Sequence, residues 1–164
     1  MTPAPIIIGP GDGDVLRFSP TELLVWKATR AITGGFDQLE LTAQPDHAGA
    51  PEHIHAATEE CFYVLNGAFR FTVAGSLVLA GPGTFLFVPR GTAHTWTNAA
   101  ETASTMLLTL VPGGMKPFFD EAAPLMHGTP LDLAALTAVN ARHDTTVVGP
   151  PLAPGPRPGD RLAR

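Results

Sequence analysis

Apolar and polar residues alternate with a period of two over most of this chain, in short runs broken by Gly, Pro, Asn and Asp. Such alternation places successive side chains on opposite faces of a half-buried strand. It predicts strands over 6–8, 15–18, 22–29, 35–42, 52–55 and 60–65, then over 68–73, 77–79, 84–88, 94–98 and 104–111. Asn66-Gly67, between CFYVL and AFRFTV, is a hairpin signal of type I′, which needs positive φ at both central residues. Ala74-Gly75 and Gly81-Pro82-Gly83 punctuate the next turns, and Gly34-Gly35 is expected to join two long early strands. So many short strands at close spacing predict an all-β sandwich or barrel, with its core over about 15–112.

The period then changes to that of a helix. Phe118, Phe119, Ala122, Ala123 and Met126 fall on one stripe within 115–126, and Leu133, Leu136 and Val139 on another within 131–141. Two short helices over about 115–143 are expected, and a last strand over 145–148. Residues 1–148 then form one domain. From Gly149 onward, GPPLAPGPRPGDRLAR is too rich in proline to bury a core, which predicts a flexible tail over 149–164.

Composition narrows the function. The chain of 164 residues is 45% hydrophobic and 15% charged, with 17 glycines and 17 prolines, which suits a turn-dense β protein. A net charge of −5 and only two lysines, Lys27 and Lys116, argue against a nucleic-acid partner. The apolar runs are too short and interrupted to span a membrane. The N-terminus lacks the basic region of a secretory signal, and one cysteine, Cys61, excludes an intrachain disulfide. Both point to a cytoplasmic setting.

Against this background His53, His55, Glu60 and His94 stand out. His53 and His55, two apart on a strand, can converge on one ion. Strand parity puts Glu60, Phe62 and Val64 on one face, and Cys61, Tyr63 and Leu65 on the other. That choice favours Glu60 over Glu59 as the interior carboxylate. His55 and Glu60 are an odd number of positions apart, so Ala56-Ala57-Thr58 must bend the chain between them. His94 arrives by tertiary folding on a strand that places Trp96 and Asn98 on the same face. Three neutral imidazoles and one carboxylate suit a divalent transition metal (Fe, Mn, Ni, Co or Zn). With a divalent ion the site keeps a net positive charge, which lowers the pKa of a bound water or substrate hydroxyl.

The remaining polar residues have plainer readings. His47 and Asp46 read as a solvated loop, or else as a gate or a support for the ligands. His127 and His143 read as surface or helix-end residues, Cys61 as a packed small hydrophobe, and Glu59 as exposed. Trp26 and Tyr63 could pack an intersubunit sheet or the core. Phe62, Phe85, Phe87, Trp96 and Met106 are candidates for lining a substrate pocket, with plain core as the alternative. Phe118 and Phe119 could close the barrel mouth or pack against the outer sheet.

The stretch His53-x-His55-x4-Glu60-x6-Gly67 resembles the first motif of the cupin superfamily, and Gly83-x5-Pro89-x-Gly91-x2-His94-x3-Asn98 resembles the second. The short spacing between them is similar to that of microbial single-domain cupins. The family's usual leading glycine would fall at His47, whereas glycine stands at Gly49. More distantly, the 6–151 layout resembles small bacterial cupins of quercetin 2,3-dioxygenase-like type. The resemblance implies a jelly-roll β-barrel holding a metal on His53, His55, Glu60 and His94. It implies an O₂-dependent dioxygenase acting on a hydroxylated aromatic or enolisable small molecule, with Glu60 as the catalytic base. A non-oxidative cyclase, isomerase or decarboxylase on a polyketide- or sugar-like substrate is the second expectation. A cupin that binds a small ligand without turnover is the third. A symmetric homodimer is expected of a small barrel with exposed β-edges.

Overall fold

The computed structural model describes residues 4–155. Among these residues eleven strands form two facing sheets, as the alternation predicts. The first sheet contains β1 (Asp14–Ser19), β2 (Glu22–Ala28), β3 (Asp37–Ala43), β5 (Glu59–Asn66), β8 (Phe85–Val88) and β10 (Ser104–Val111). Its strand order is β1-β2-β3-β10-β5-β8. The second contains β4 (Pro51–His55), β6 (Phe69–Val73), β7 (Ser76–Ala80), β9 (His94–Asn98) and β11 (Thr145–Pro151), in the order β11-β4-β9-β6-β7. Every pairing is antiparallel. Two antiparallel sheets joined by connections that cross between them make a jelly roll.

Strict alternation builds the core. In β2, β3 and β10 every second residue is buried. Leu24, Leu39, Leu41, Phe62, Phe71 and Met106, all at most 2% exposed, meet between the sheets.

Asn66-Gly67 does not close a hairpin. β5 belongs to the first sheet and β6 to the second, so the turn carries the chain from one sheet to the other. Among the described residues with positive φ, Gly67 appears (φ 75°) and Asn66 does not. Glycine is needed at 67 because a Cβ there would lie 2.1 Å from Ser104 Oγ. The two-residue loop with positive φ at both positions is Ala74-Gly75 (49° and 76°), between the paired residues Val73 and Ser76. Likewise, Gly34-Gly35 is no hairpin turn. A four-residue helix, α1 (Arg30–Thr33), links β2 to β3 and ends at Gly34 in the left-handed region. The run Ile6–Ile8 forms no strand; Ile7 is 97% exposed.

Two further helices follow β10: α2 (Lys116–Met126) and α3 (Leu133–Arg142). No side chain of its own caps α2. The fully buried carboxylate of Asp37 instead accepts from the Gly114 and Met115 amides at 2.6 and 2.8 Å, tying the helix entrance to β3. Phe119 packs edge-on against Phe18 and Trp26. That settles Trp26 as core and seats Phe119 against β1 and β2.

The chain does not leave the fold at 148. β11 runs to Pro151, and the guanidinium of Arg70 donates to the carbonyls of Ala153 and Gly155 at 3.3 and 3.0 Å. The Gly155 amide donates to Asn98 O at 2.8 Å. These contacts hold residues 153–155 near β6 and β9. The rest of the expected tail, 156–164, lies outside the described residues. Among the described residues, no helix is long and apolar enough to cross a membrane.

Candidate metal centre

Two neighbouring strands of one sheet and one strand of the other bring the four candidate ligands together. His53 on β4 stands directly opposite His94 on β9. Glu60 enters from β5, opposite Val88 and Leu110. One nitrogen or oxygen from each of His53, His55, Glu60 and His94 lies within 4.8 Å of all the others, and all four side chains are buried. That is close to the span of one coordination sphere, whose bonds run about 2.0–2.2 Å.

Backbone carbonyls orient all three imidazoles. Nδ1 of His53 donates to Pro51 O (2.8 Å), Nδ1 of His55 to Asp144 O (2.9 Å) and Nδ1 of His94 to Thr92 O (3.0 Å). Each Nε2 then faces the centre, the arrangement that prepares a histidine to ligate through that atom. The bend at Pro89-Arg90-Gly91 delivers His94. Gly91 has φ 79°, and its amide donates to His55 O at 2.7 Å, which links the two motifs directly.

Burial lowers the pKa of His53 to about 4, only partly opposed by Glu60, so this imidazole is neutral and able to ligate at ordinary pH. Burial alone would raise the pKa of Glu60. The hydrogen bond from His94 Nε2 and the electrostatic pull of the surrounding histidines, His94 foremost, outweigh it and hold the carboxyl below the usual carboxylate range. On His94 burial acts downward, but the bond to Glu60 prevails and its pKa is raised. A proton between His94 and Glu60 thus balances the buried charge. A cation in the same place would do so too, and the donor set of three nitrogens and one carboxylate could hold a divalent transition metal.

The expected pocket lining separates into two groups. Phe85 and Phe87 do not line the site: they are 60% and 52% exposed, on the outer face of β8, where they pair with Tyr63 and Cys61. Leu86 and Val88 take the inner face. Phe62, Trp96 and Met106 do point inward, at 1%, 5% and 0% exposure, but they are packed into the core. Phe62 lies edge-on to His94 with ring centroids 6.3 Å apart. Cys61 sits on the outer face, and burial, with the Glu59 and Glu60 carboxylates, pushes its thiol up, so it is no ready nucleophile. Glu59 is half-buried beside Arg90, 3.1 Å away. Asn98 satisfies its whole amide, donating to Ala43 O and Thr102 O and accepting from the Ala100 amide and the Ser104 hydroxyl, all at 2.8–2.9 Å.

His47 is buried, which corrects the solvated-loop reading. Its ring stacks on Trp96 at 5.2 Å, its Nδ1 shares a 2.9 Å hydrogen bond with Thr21 Oγ1, and Glu22 lies 3.5 Å from its Nε2. Burial raises the pKa of Glu22 to about 8 and lowers that of His47 to about 4. The pair is therefore a protonated acid beside a neutral imidazole, not an ion pair. Gly49 lets this loop lie against β9: its φ is 74°, and a Cβ there would fall 1.6 Å from the Trp96 carbonyl oxygen. The glycine that the first motif lacks at 47 thus has a structural task two residues later. Asp144 is the support that sequence reasoning missed; it lies far from either motif and carries no periodic signal.

The family model for the cupin domain matches residues 39–111, the segment that carries all four candidate ligands. A curated quercetin 2,3-dioxygenase from Bacillus subtilis (strain 168) is 29% identical over 115 residues, which are 70% of this chain and 34% of that protein. The chain thus spans about a third of that relative's length. Among solved structures, a predicted oxalate decarboxylase from Thermotoga maritima superposes with a TM-score of 0.59 at 18% identity, covering 65% of this chain and 98% of the other. KdgF from Halomonas sp. superposes with a TM-score of 0.57 at 21% identity, covering 66% and 94%. At these identities the superpositions speak for the fold alone. With both motifs in place and the ligand cluster between two sheets, the segment 39–111 is similar to the cupin domain.

Proposed function

We propose that the protein is a metal-dependent enzyme acting on a small molecule, with His53, His55, Glu60 and His94 as the ligands. The observation that carries this reading is the orientation of three imidazoles, each anchored through Nδ1 and presenting Nε2 to one carboxylate. A divalent metal held there would supply positive charge to stabilise an anionic oxygen of the substrate.

The likeness to quercetin 2,3-dioxygenase supports an oxidoreductase that uses O₂ on a hydroxylated aromatic or enolisable substrate. In this reading Glu60 takes the substrate's hydroxyl proton. The carboxylate is ionised in the site and so has a lone pair for a proton; its lowered pKa makes it a weak base, which suits a hydroxyl acidified by a metal's charge. Phe62, edge-on to His94, is the core side chain that borders the ligands on their apolar side.

The test is oxygen uptake with a flavonol panel by protein reconstituted with Fe, Mn, Co or Ni. Turnover matched by O₂ consumption is expected. Turnover that persists under nitrogen, above all with Zn, would replace this reading with a cyclase, isomerase or decarboxylase. A ligand retained unchanged would replace it with a binding function.

The same proposal includes a cytoplasmic homodimer. Tyr63, Phe85 and Phe87 give the outer face of β5 and β8 an exposed apolar surface beside the last strand of the sheet. Sedimentation equilibrium at micromolar concentration should return twice the chain mass, and a monomer would contradict it.

A further inference from the structure

We propose that Asp144 is a positioning residue for the metal centre, a clasp that fixes two of its four donors from the far end of the chain. The inference rests on the ligand assignment above. Its starting point is the parity problem between His55 and Glu60, which both face inward although they lie five positions apart.

The chain solves this with a bend at 56–58, and Asp144 holds that bend. Its Oδ1 accepts from the amides of Ala56 and Ala57 at 2.9 and 3.1 Å, and its Oδ2 from Ala57 at 2.9 Å. Its backbone carbonyl accepts from His55 Nδ1 at 2.9 Å. One residue therefore fixes the His55 tautomer and also the turn that sends Glu60 to the inner face. Neither task follows from local sequence, since 88 residues separate Asp144 from Ala56.

Several features bring Asp144 to this place. It lies between α3 and β11, and the next residue, Thr145, pairs with His55 in the β11–β4 ladder. Its φ is 59°, a region that Asp tolerates better than most side chains. The preceding turn is tied back to α2, because Glu121 accepts from Arg142 and His143 at 2.8 and 2.9 Å. The two helices and β11 thus buttress the site through Asp144 and through the β11–β4 ladder beside it. Asp144 is not a ligand in this account; its recorded side-chain bonds all go to backbone amides.

The experiment uses the full chain as wild type and as Asp144→Ala, Asp144→Asn, Asp144→Gly and His94→Ala. Co²⁺ is the probe, followed by its visible absorption in competition with a chromophoric chelator. Hydrogen exchange at Ala56 and Ala57 is measured without added metal. Loss of the carboxylate in Asp144→Ala should weaken Co²⁺ binding about 10–100-fold, as expected for the support behind a ligand. Asp144→Gly should weaken it similarly while accepting the positive φ without strain, and it carries the comparison if the alanine variant does not fold. Asp144→Asn should stay within about threefold, because its amide oxygen keeps two lone pairs for the same amides. Exchange at Ala56 and Ala57 should quicken in the alanine and glycine variants alone. Wild-type affinity in Asp144→Gly, or equal loss in all three variants, would overturn the clasp while loss of Co²⁺ in His94→Ala left the metal centre standing. Wild-type affinity in His94→Ala would instead overturn the ligand assignment beneath it.

Discussion

Replacing Glu22 with Gln should stabilise the protein increasingly as pH rises. Glu22 is buried beside a neutral His47, and its pKa is raised by burial from 4.5 to about 8. Between those values the folded chain keeps a proton that the unfolded chain has released, so the folded state binds more protons and stability falls with pH. His47 acts in the opposite sense. Its folded pKa of about 4 lies below the 6.5 of the unfolded chain, so its contribution rises with pH over that interval. From pH 4.5 to 6.5 the two slopes largely cancel, and from 6.5 to 8 the Glu22 loss stands alone. Gln keeps the shape and removes the titration, so the difference between variant and wild type isolates Glu22. At about 1.4 kcal/mol per pH unit, the variant should gain about 3 kcal/mol relative to wild type between pH 5 and 7.5. Urea denaturation at pH 5, 6, 7 and 7.5 measures this directly. A difference that does not change with pH would refute the assignment of a neutral, buried Glu22.

The packing supplies sharper contrasts. Phe62→Ala should cost about 3–5 kcal/mol, because it opens a cavity in the centre of the core. Phe87→Ser, on the exposed outer face, should change monomer stability by less than about 0.5 kcal/mol while weakening any self-association. Equal effects in denaturation would mean that the two faces of the first sheet have been confused. Gly49→Ala meets both a positive φ and the Trp96 carbonyl, so a loss of at least about 2 kcal/mol is expected from the same measurement, and a neutral result would contradict the close approach of loop and strand.

Much of the site could be read from strand parity and much of its surroundings could not. Parity separates Glu60 from Glu59 and requires a bend after His55, and both hold in the structure. It says only that residues alternate, however, not which face is inner. In Phe85-Leu86-Phe87-Val88 both faces are apolar, so the two phenylalanines look as suitable for a pocket as their neighbours. Pairing of Val88 with Glu60 is what turns Leu86 and Val88 inward. Asn66-Gly67 marks a turn, but a dipeptide cannot say whether the strands it joins will pair or part into different sheets. His47 sits in a stretch without periodicity, and its burial depends on Gly49 and on Trp96, far along the chain. Asp144 was invisible for a similar reason: its partners are backbone amides, which leave no trace in side-chain pattern.

The central claim is that His53, His55, Glu60 and His94 hold one transition-metal ion. The direct measurement is elemental analysis of wild type, His53→Ala and His94→Ala, each incubated with Mn, Fe, Co, Ni and Zn and then gel-filtered. About one equivalent of a transition metal in wild type and most of it lost in both variants is the expected result. Equal metal content in all three proteins would contradict the ligand assignment, and with it the function proposed for the site.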